Sequence, residues 1–323
     1  MVENLLRVAL ARRTPLSVIP MIQNFRRRVL PCLVLAAVAV TSCSKSSTAT
    51  KIGEVASLTG KEAAFGQSSH KGTLLAIEEL NAAGGVLGQT LELVSEDNQS
   101  KAGESATIAK KLIPRDHVVA LLGEVASSRS LEIAPIAQAA HLPMISPSST
   151  NPSVTETGDY IFRVCFIDPF QGVVMAKFAK DTLHVRKVAL LTSVSSAYSV
   201  GLAKYFKERF LADGGTVALE QKFSEGDKDF KAQLTAIKAA GVEGIFVPGN
   251  YTEAALICKQ ATDLGLALPI FGGDGWEAPQ LVEIGGTAVE GTDYSTHDSP
   301  ENQTPAVQGL VKKFKARWNG ERP

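Results

Sequence analysis

Residues 271–279, FGGDGWEAP, set one carboxylate, Asp274, among Gly272, Gly273 and Gly275. Glycine carries no Cβ, so a ligand can approach such a loop closely. An acid so placed can serve a cofactor cradle, act as a catalytic acid, or grip a cationic group. The cofactor reading has a formal match. Gly273, Gly275 and Ala278 fit G-x-G-x-x-G/A, and Asp293 lies about 20 residues further on. The chemistry argues against it: an anionic Asp274 repels a pyrophosphate, and Trp276 is bulky where the backbone must meet phosphate. The loop also belongs to the last full strand–helix unit of its series, not to a first one.

Catalysis finds little support. Ala197-Tyr198-Ser199-Val200-Gly201 lacks the first glycine of a nucleophile elbow. The histidines, His70, His117, His141, His184 and His297, are scattered and read as surface or boundary residues. No H-E-x-x-H or P-loop is present. Cys32, Cys43, Cys165 and Cys258 fit no zinc spacing. Cys165 and Cys258 either pair in an oxidising compartment or remain buried thiols. The expectation is no enzyme, no metal and no cofactor.

Other loops complement the acid. GEVASSRS carries Ala126, Ser127 and Ser128, and SPSSTNPS carries Ser148, Ser149 and Thr150. TGKEAAFGQ holds Phe65, TSVSSAYS holds Tyr198, and PGNYTE holds Asn250 and Tyr251. Hydroxyls beside helix N-termini either cap the helix or, with the free N–H groups and the dipole, accept an anion. Anion acceptors on one group of loops and an acid on the other make the polarity of a zwitterion. An α-amino acid fits. The alternative for Asp274 is a solvated turn acid.

These loops need elements to position them. After Lys51, apolar runs alternate with amphipathic stretches that end in glycine. KIGEVASL, TLELVSED, HVVALLG, LPMISP and YIFRVCF read as strands. Helices lie between them, the first, GQSSHKGTLLAIEELNAAGG, presenting Leu74, Ile77 and Leu80 to a core. A second series starts near Asp168, with strands KVALLTS, TVALEQKF, GIFVPG and LPIFGG, an extended VEGTDYS and a helical TPAVQGLVKKFKARW. Such alternation predicts α/β architecture: two doubly wound parallel-sheet lobes, helices on both faces. Ligands then sit outside the C-terminal strand ends.

The 323 residues carry zero formal net charge and 45 % hydrophobic residues, room for two ordinary domains. Neutral balance gives no electrostatic case for nucleic acid. Arg26–Arg28, an apolar stretch from Val29 to Val40, small Thr41 and Ser42, and then Cys43 follow the order of a secretory signal. V-T-S-C is similar to the lipobox of bacterial lipoproteins, with Cys43 lipidated; the alternative is a plain signal peptide. Residues 1–42 are then the signal and 43–50 a polar tether. Met21 is a tidier start than Met1.

From Lys51 to about Arg317 the chain resembles the periplasmic branched-chain amino acid binding proteins of ABC transporters, of type I periplasmic-binding fold. The matching stretches are IGEVASLTG, AAFGQ, LNAAGGVLG, PMISPSSTNP, DPFQG and FGGDGW. The resemblance implies a hinged clamp with three crossovers: residues 51–166 plus 296–323 in lobe one, 167–295 in lobe two. It implies that Ser127, Ser149 and Thr150, with backbone groups of Val125 and Ser148, meet the ligand carboxylate. Asp274 meets the ammonium, Phe65 and Tyr198 form aromatic walls, and Asn250 or Tyr251 completes the site. The family continues beyond the position of Pro323 with elements that finish lobe one, so exposed apolar surface is expected there.

The function this implies is an extracytoplasmic, lipid-anchored protein on a bacterial membrane. It captures a branched-chain type of amino acid and delivers it to an ABC transporter permease. The alternatives are a sensor of the same fold for amides, urea or aromatic acids, and, further off, a hydrolase on Ser199 or a dehydrogenase on the glycine loop.

Overall fold

The computed structural model describes residues 49–323. The signal, Cys32, Cys43 and most of the tether lie outside the described residues.

The first sheet is built from β1 (Thr50–Ala56), β2 (Leu91–Asp97), β3 (Ala120–Leu122), β4 (Met144–Ser146) and β5 (Ile161–Arg163). Between them run α1 (Ala63–Ala82), α2 (Glu104–Leu112), α3 (Ser127–Ala139) and the short α4 (Ser153–Glu156). After α5 (Asp168–Lys177) and a π-turn (Phe178–Thr182), the second sheet uses β6 (Lys187–Ser193), β7 (Thr216–Phe223), β8 (Gly244–Val247), β9 (Ile270–Gly272) and β10 (Asp293–Tyr294). Its helices are α6 (Ala197–Ala212), α7 (Lys231–Ala239), α8 (Tyr251–Asp263) and α9 (Pro279–Gly285). Last comes α10 (Pro305–Arg317).

Every ladder between these strands is parallel. The strand orders are β2-β1-β3-β4-β5 and β10-β9-β8-β6-β7. Read from opposite ends these are the same doubly wound order, with reversal points at β1/β3 and β6/β8. Loops leaving the C-terminal ends of strands there part to opposite faces and open a crevice. Sequence dictates this through burial: β8, GIFV, is buried at every position and lies inside its sheet. β7 forms the edge and alternates half-buried with exposed residues.

Helices cover both faces of the second sheet. On one, Phe206 of α6 stacks on Phe246 of β8 at 3.9 Å and on Phe210 at 5.3 Å. On the other, α7 and α8 supply Leu234, Ile237, Ile257 and Cys258 to a core that includes Trp276. The first sheet's core centres on Val55, Leu121, Ile133 and Met144.

Helix α1 departs from expectation. Leu75 is its buried leucine, whereas Leu80 is 44 % exposed and Leu74 and Ile77 are half-buried. The helix meets β1 and β2 through another face. Toward α10 it offers acids: Glu78 receives a fork from Arg317, at 2.8 Å for each bond, and Glu79 pairs with Lys313 at 2.9 Å. Cys165 and Cys258 are both free thiols, and burial pushes them up to about 11 and about 12. Two segments among the described residues, 164–167 and 295–304, link the lobes. No helix among the described residues is long and apolar enough to cross a membrane.

Candidate ligand-binding cleft

The loops leaving the C-terminal strand ends of both sheets enclose one cavity of about 970 Å³. Phe65, Val125, Ala126, Ser127, Ser148, Thr150, Tyr198, Asn250 and Asp274 all line it. One end lies between the sheets. The other runs toward α10, where Val307, Leu310 and Phe314 contribute.

The wall of the first lobe is set by a buried acid. Glu124, at the end of β3, takes hydrogen bonds from Ser57 Oγ (2.6 Å), Asn98 Nδ2 (3.2 Å) and the Ala126 amide (2.7 Å). Burial raises its pKa, and these donors oppose the shift. Its carbonyl accepts the hydroxyls of Ser130 and Ser146 at 2.8 Å and of Ser149 at 3.0 Å. Three serines thus bind the two hydroxyl loops into one unit. The Arg163 guanidinium clasps the second loop from behind, donating to the carbonyls of Ser149, Asn151 and Pro152.

Neither Ser127 nor Ser128 caps its own helix. Ala126 holds the N-cap position of α3 and makes no side-chain bond. Ser127 Oγ instead accepts the Asn151 amide at 3.2 Å. The first N–H groups of α3 have no acceptor within the helix, and they open beside Ser127, Ser148 and Thr150. That corner suits an anion.

Opposite stands Asp274, opening a 3₁₀ turn, Asp274–Trp276. Trp276 is fully buried and its Nε1 donates to the Val247 carbonyl at 3.0 Å. The Tyr198 hydroxyl accepts the Gly275 amide at 3.1 Å. Burial, then the nearby Asp274 charge, drives the Tyr198 pKa well upward, keeping the phenol neutral. The glycines are needed: a Cβ at Gly275 would sit 2.6 Å from the Gly249 carbonyl, and one at Gly273 2.4 Å from Tyr198 Oη.

Two expected residues stand behind the wall. Ser149 is fully buried, its hydroxyl spent on the Glu124 carbonyl and Ser130. Tyr251, the first residue of α8, is 4 % exposed; its ring meets Phe65 edge-on at 5.0 Å and its hydroxyl accepts the Ala64 amide at 3.3 Å. Between the two registers, Asn250 is the residue at the cavity. Two other side chains, not assigned to the site from sequence, touch Asp274. Gln171 Nε2 donates to Oδ1 at 2.7 Å, and His297 Nε2 lies 3.2 Å from Oδ2. His297 therefore lines the cleft and is not a remote surface histidine. The sequence signal available for Gln171 was its place in DPFQG.

The lobes touch across the cleft. Lys61 Nζ pairs with Glu225 at 2.8 Å, and Arg129 Nη2 approaches the same carboxylate at 3.7 Å. Ser128 Oγ accepts the Ala197 amide at 2.9 Å, and Asn151 Nδ2 donates to the Ala197 carbonyl at 2.7 Å. Asn250 Nδ2 reaches Glu62 Oε1 at 3.4 Å. Glu62 is almost wholly buried, and burial, then the charges of Glu124 and Glu225, pushes its pKa up to about 8.

Comparison with known proteins places the chain in a family. The family model described as periplasmic binding protein matches residues 49–323. A Leu/Ile/Val-binding protein homolog of Brucella abortus is 35 % identical over 265 residues, covering 82 % of this chain and 71 % of its own. The leucine binding protein LivK of Thermotoga maritima superposes with a TM-score of 0.81 at 42 % identity, over 84 % of this chain and 77 % of that one. LivJ of Streptococcus pneumoniae, solved with isoleucine, gives 0.80 at 33 % identity, over 85 % and 79 %. The two five-stranded parallel lobes are the type I periplasmic binding fold. The chain belongs to the periplasmic binding protein family.

Proposed function

We propose that this protein captures a small α-amino acid of branched-chain type between its lobes and passes it to an ABC transporter permease, without a cofactor and without a reaction. The observation that carries this is the opposition of charges around one cavity. Helix α3 turns open N–H groups and hydroxyls toward it from one lobe, and Asp274 stands on the other. Phe65 and Tyr198 supply apolar walls for a side chain. The names of the Brucella and Thermotoga relatives support the choice of ligand.

Ligand that bridges both lobes favours the arrangement in which they touch, by the difference in its affinity for the two states. Lipidation of Cys43 would hold the protein at an extracytoplasmic membrane face, within reach of a permease.

A thermal-shift screen of the purified protein against the twenty amino acids, with urea, short amides and aromatic acids alongside, tests the reading. A ligand at 100 times its Kd adds about 2.7 kcal/mol of stability. A shift with leucine, isoleucine or valine is expected. A cooperative melt that moves with an amide or an aromatic acid, and with no amino acid, would replace this reading with the sensor.

A further inference from the structure

We propose that Gln171 is the positioning residue for Asp274: it fixes the acid's orientation and so sets affinity for the ligand's amine. This rests on the reading of Asp274 as the ammonium partner.

Gln171 lies in the first turn of α5, is 1 % exposed, and is absent from the cavity lining. Its Nε2 makes two bonds, 2.7 Å to Asp274 Oδ1 and 2.8 Å to Ser295 Oγ. The orientation of the amide follows from its neighbours. A primary amide has two N–H donors, and both are used. A flipped amide would set its oxygen against a carboxylate, so the nitrogen belongs where it stands. Oε1 is buried and has no partner among the described residues. A side chain that leaves its own acceptor unsatisfied while serving an acid is placed for the acid's sake.

His297 meets the carboxylate at Oδ2, and the other surroundings hold the loop backbone. Trp276 and Tyr198 fix the 3₁₀ turn through Val247 and Gly275. Gln171 on Oδ1 restrains rotation of the Asp274 side chain, and Oδ2, now beside His297 Nε2, is the oxygen that a ligand's amine would take. Gly273 makes room: a Cβ there would stand 3.2 Å from Gln171 Nε2. The support also comes from both segments that join the lobes. Gln171 follows the segment 164–167, and Ser295 opens 295–304.

Calorimetry with L-leucine and its des-amino analogue, 4-methylpentanoate, tests this. Gln171→Met keeps length and loses the donor. A hydrogen bond to a charged group is worth enough that leucine affinity should fall by about tenfold. The analogue, which has no amine for Asp274, should bind as to the parent. Equal weakening of both ligands, or of neither, overturns the role.

If that variant does not fold, or the analogue binds too weakly to measure, Gln171→Glu decides. At pH 5.5 the introduced carboxyl is protonated beside Asp274 and donates to it, so affinity stays near the parent's. At pH 8 it ionises and repels Asp274, and affinity falls by about tenfold or more. The other titratable groups around Asp274 are Asp168, Cys165, Tyr198, Glu277 and His297. The parent shares them all, so its own pH profile subtracts them. A variant-to-parent ratio that does not change with pH overturns the role. Failure of the underlying reading looks different: Asp274→Asn would bind leucine as tightly as the parent, or the parent would bind none.

Discussion

His297 Nε2 lies 3.2 Å from Asp274 Oδ2, on the carboxylate oxygen that Gln171 does not hold. The imidazole is steadied by Phe166, whose ring centroid is 4.0 Å away. Under the proposed reading a ligand ammonium takes this place, so His297 would compete with it. His297→Ala should tighten L-leucine binding about fivefold, the worth of one modest hydrogen bond. Titration calorimetry at constant pH reads this directly. Weaker binding would make His297 part of the ligand's own wall.

Glu62 gives the protein a pH-dependent term. Its pKa rises from 4.5 to about 8 on folding, chiefly through burial. Between these values the folded chain keeps a proton that the unfolded chain releases, so stability is greatest below the lower value and is lost as pH climbs toward about 8. Glu62→Gln keeps an acceptor for Asn250 and removes the titration. The variant should melt about 4 °C or more above the parent at pH 8.5. The two should converge at pH 5. Glu253, also raised by burial, titrates in both proteins and cancels in the difference, whereas Glu124, whose charge acts on Glu62, belongs to the effect being read. Parallel melting curves across the whole range would contradict this.

Lys61 and Glu225 tie the lobes where the Lys61 side chain is 25 % and the Glu225 side chain 9 % exposed. Lys61→Met keeps the apolar stem and removes the charge, while Arg129 still faces Glu225. Partly exposed pairs contribute up to about 1 kcal/mol, so ligand affinity should weaken about threefold. The salt dependence of Kd between low and high sodium chloride should flatten in the variant. An unchanged Kd and an unchanged salt slope would show that the contact adds nothing to closure.

Gly66 and Gly72 sit six residues apart on α1 with opposite expectations. A Cβ at Gly66 would lie 2.1 Å from the Ser57 carbonyl oxygen, a backbone atom that cannot step aside. Gly66→Ala should cost more than about 2 kcal/mol. A Cβ at Gly72 would meet nothing within 4 Å, so Gly72→Ala should gain up to about 1 kcal/mol from helix propensity. Urea denaturation of both variants checks the pair.

The alternation of β8 (GIFV) and the helices around it could be read directly, because continuous apolar runs report two-sided burial without any knowledge of partners. The loops at the C-terminal strand ends followed from the same alternation. Gln171 and His297 could not be found that way. Gln171 lies 103 residues from Asp274 in sequence, and His297 follows β10 on a segment with no periodicity to place it. Ser149 and Tyr251 failed for a subtler reason. Each is one residue from a cavity-lining neighbour, and only the turn's backbone decides which of the two looks in. Leu80 misled because helical spacing marks a face as apolar without saying what covers it.

The buried Trp276 makes the acid's loop part of the rigid core of its lobe. On the other side, the serines gathered on the Glu124 carbonyl do the same for the hydroxyl corner. Under the proposed reading, two stiff jaws closing to a contact-defined stop act as a caliper. Such an instrument would gauge the separation between a ligand's two charges before it senses the side chain. Under the proposed reading, β- and γ-amino acids, whose charges stand one or two methylenes farther apart, fall outside its span whatever apolar group they carry.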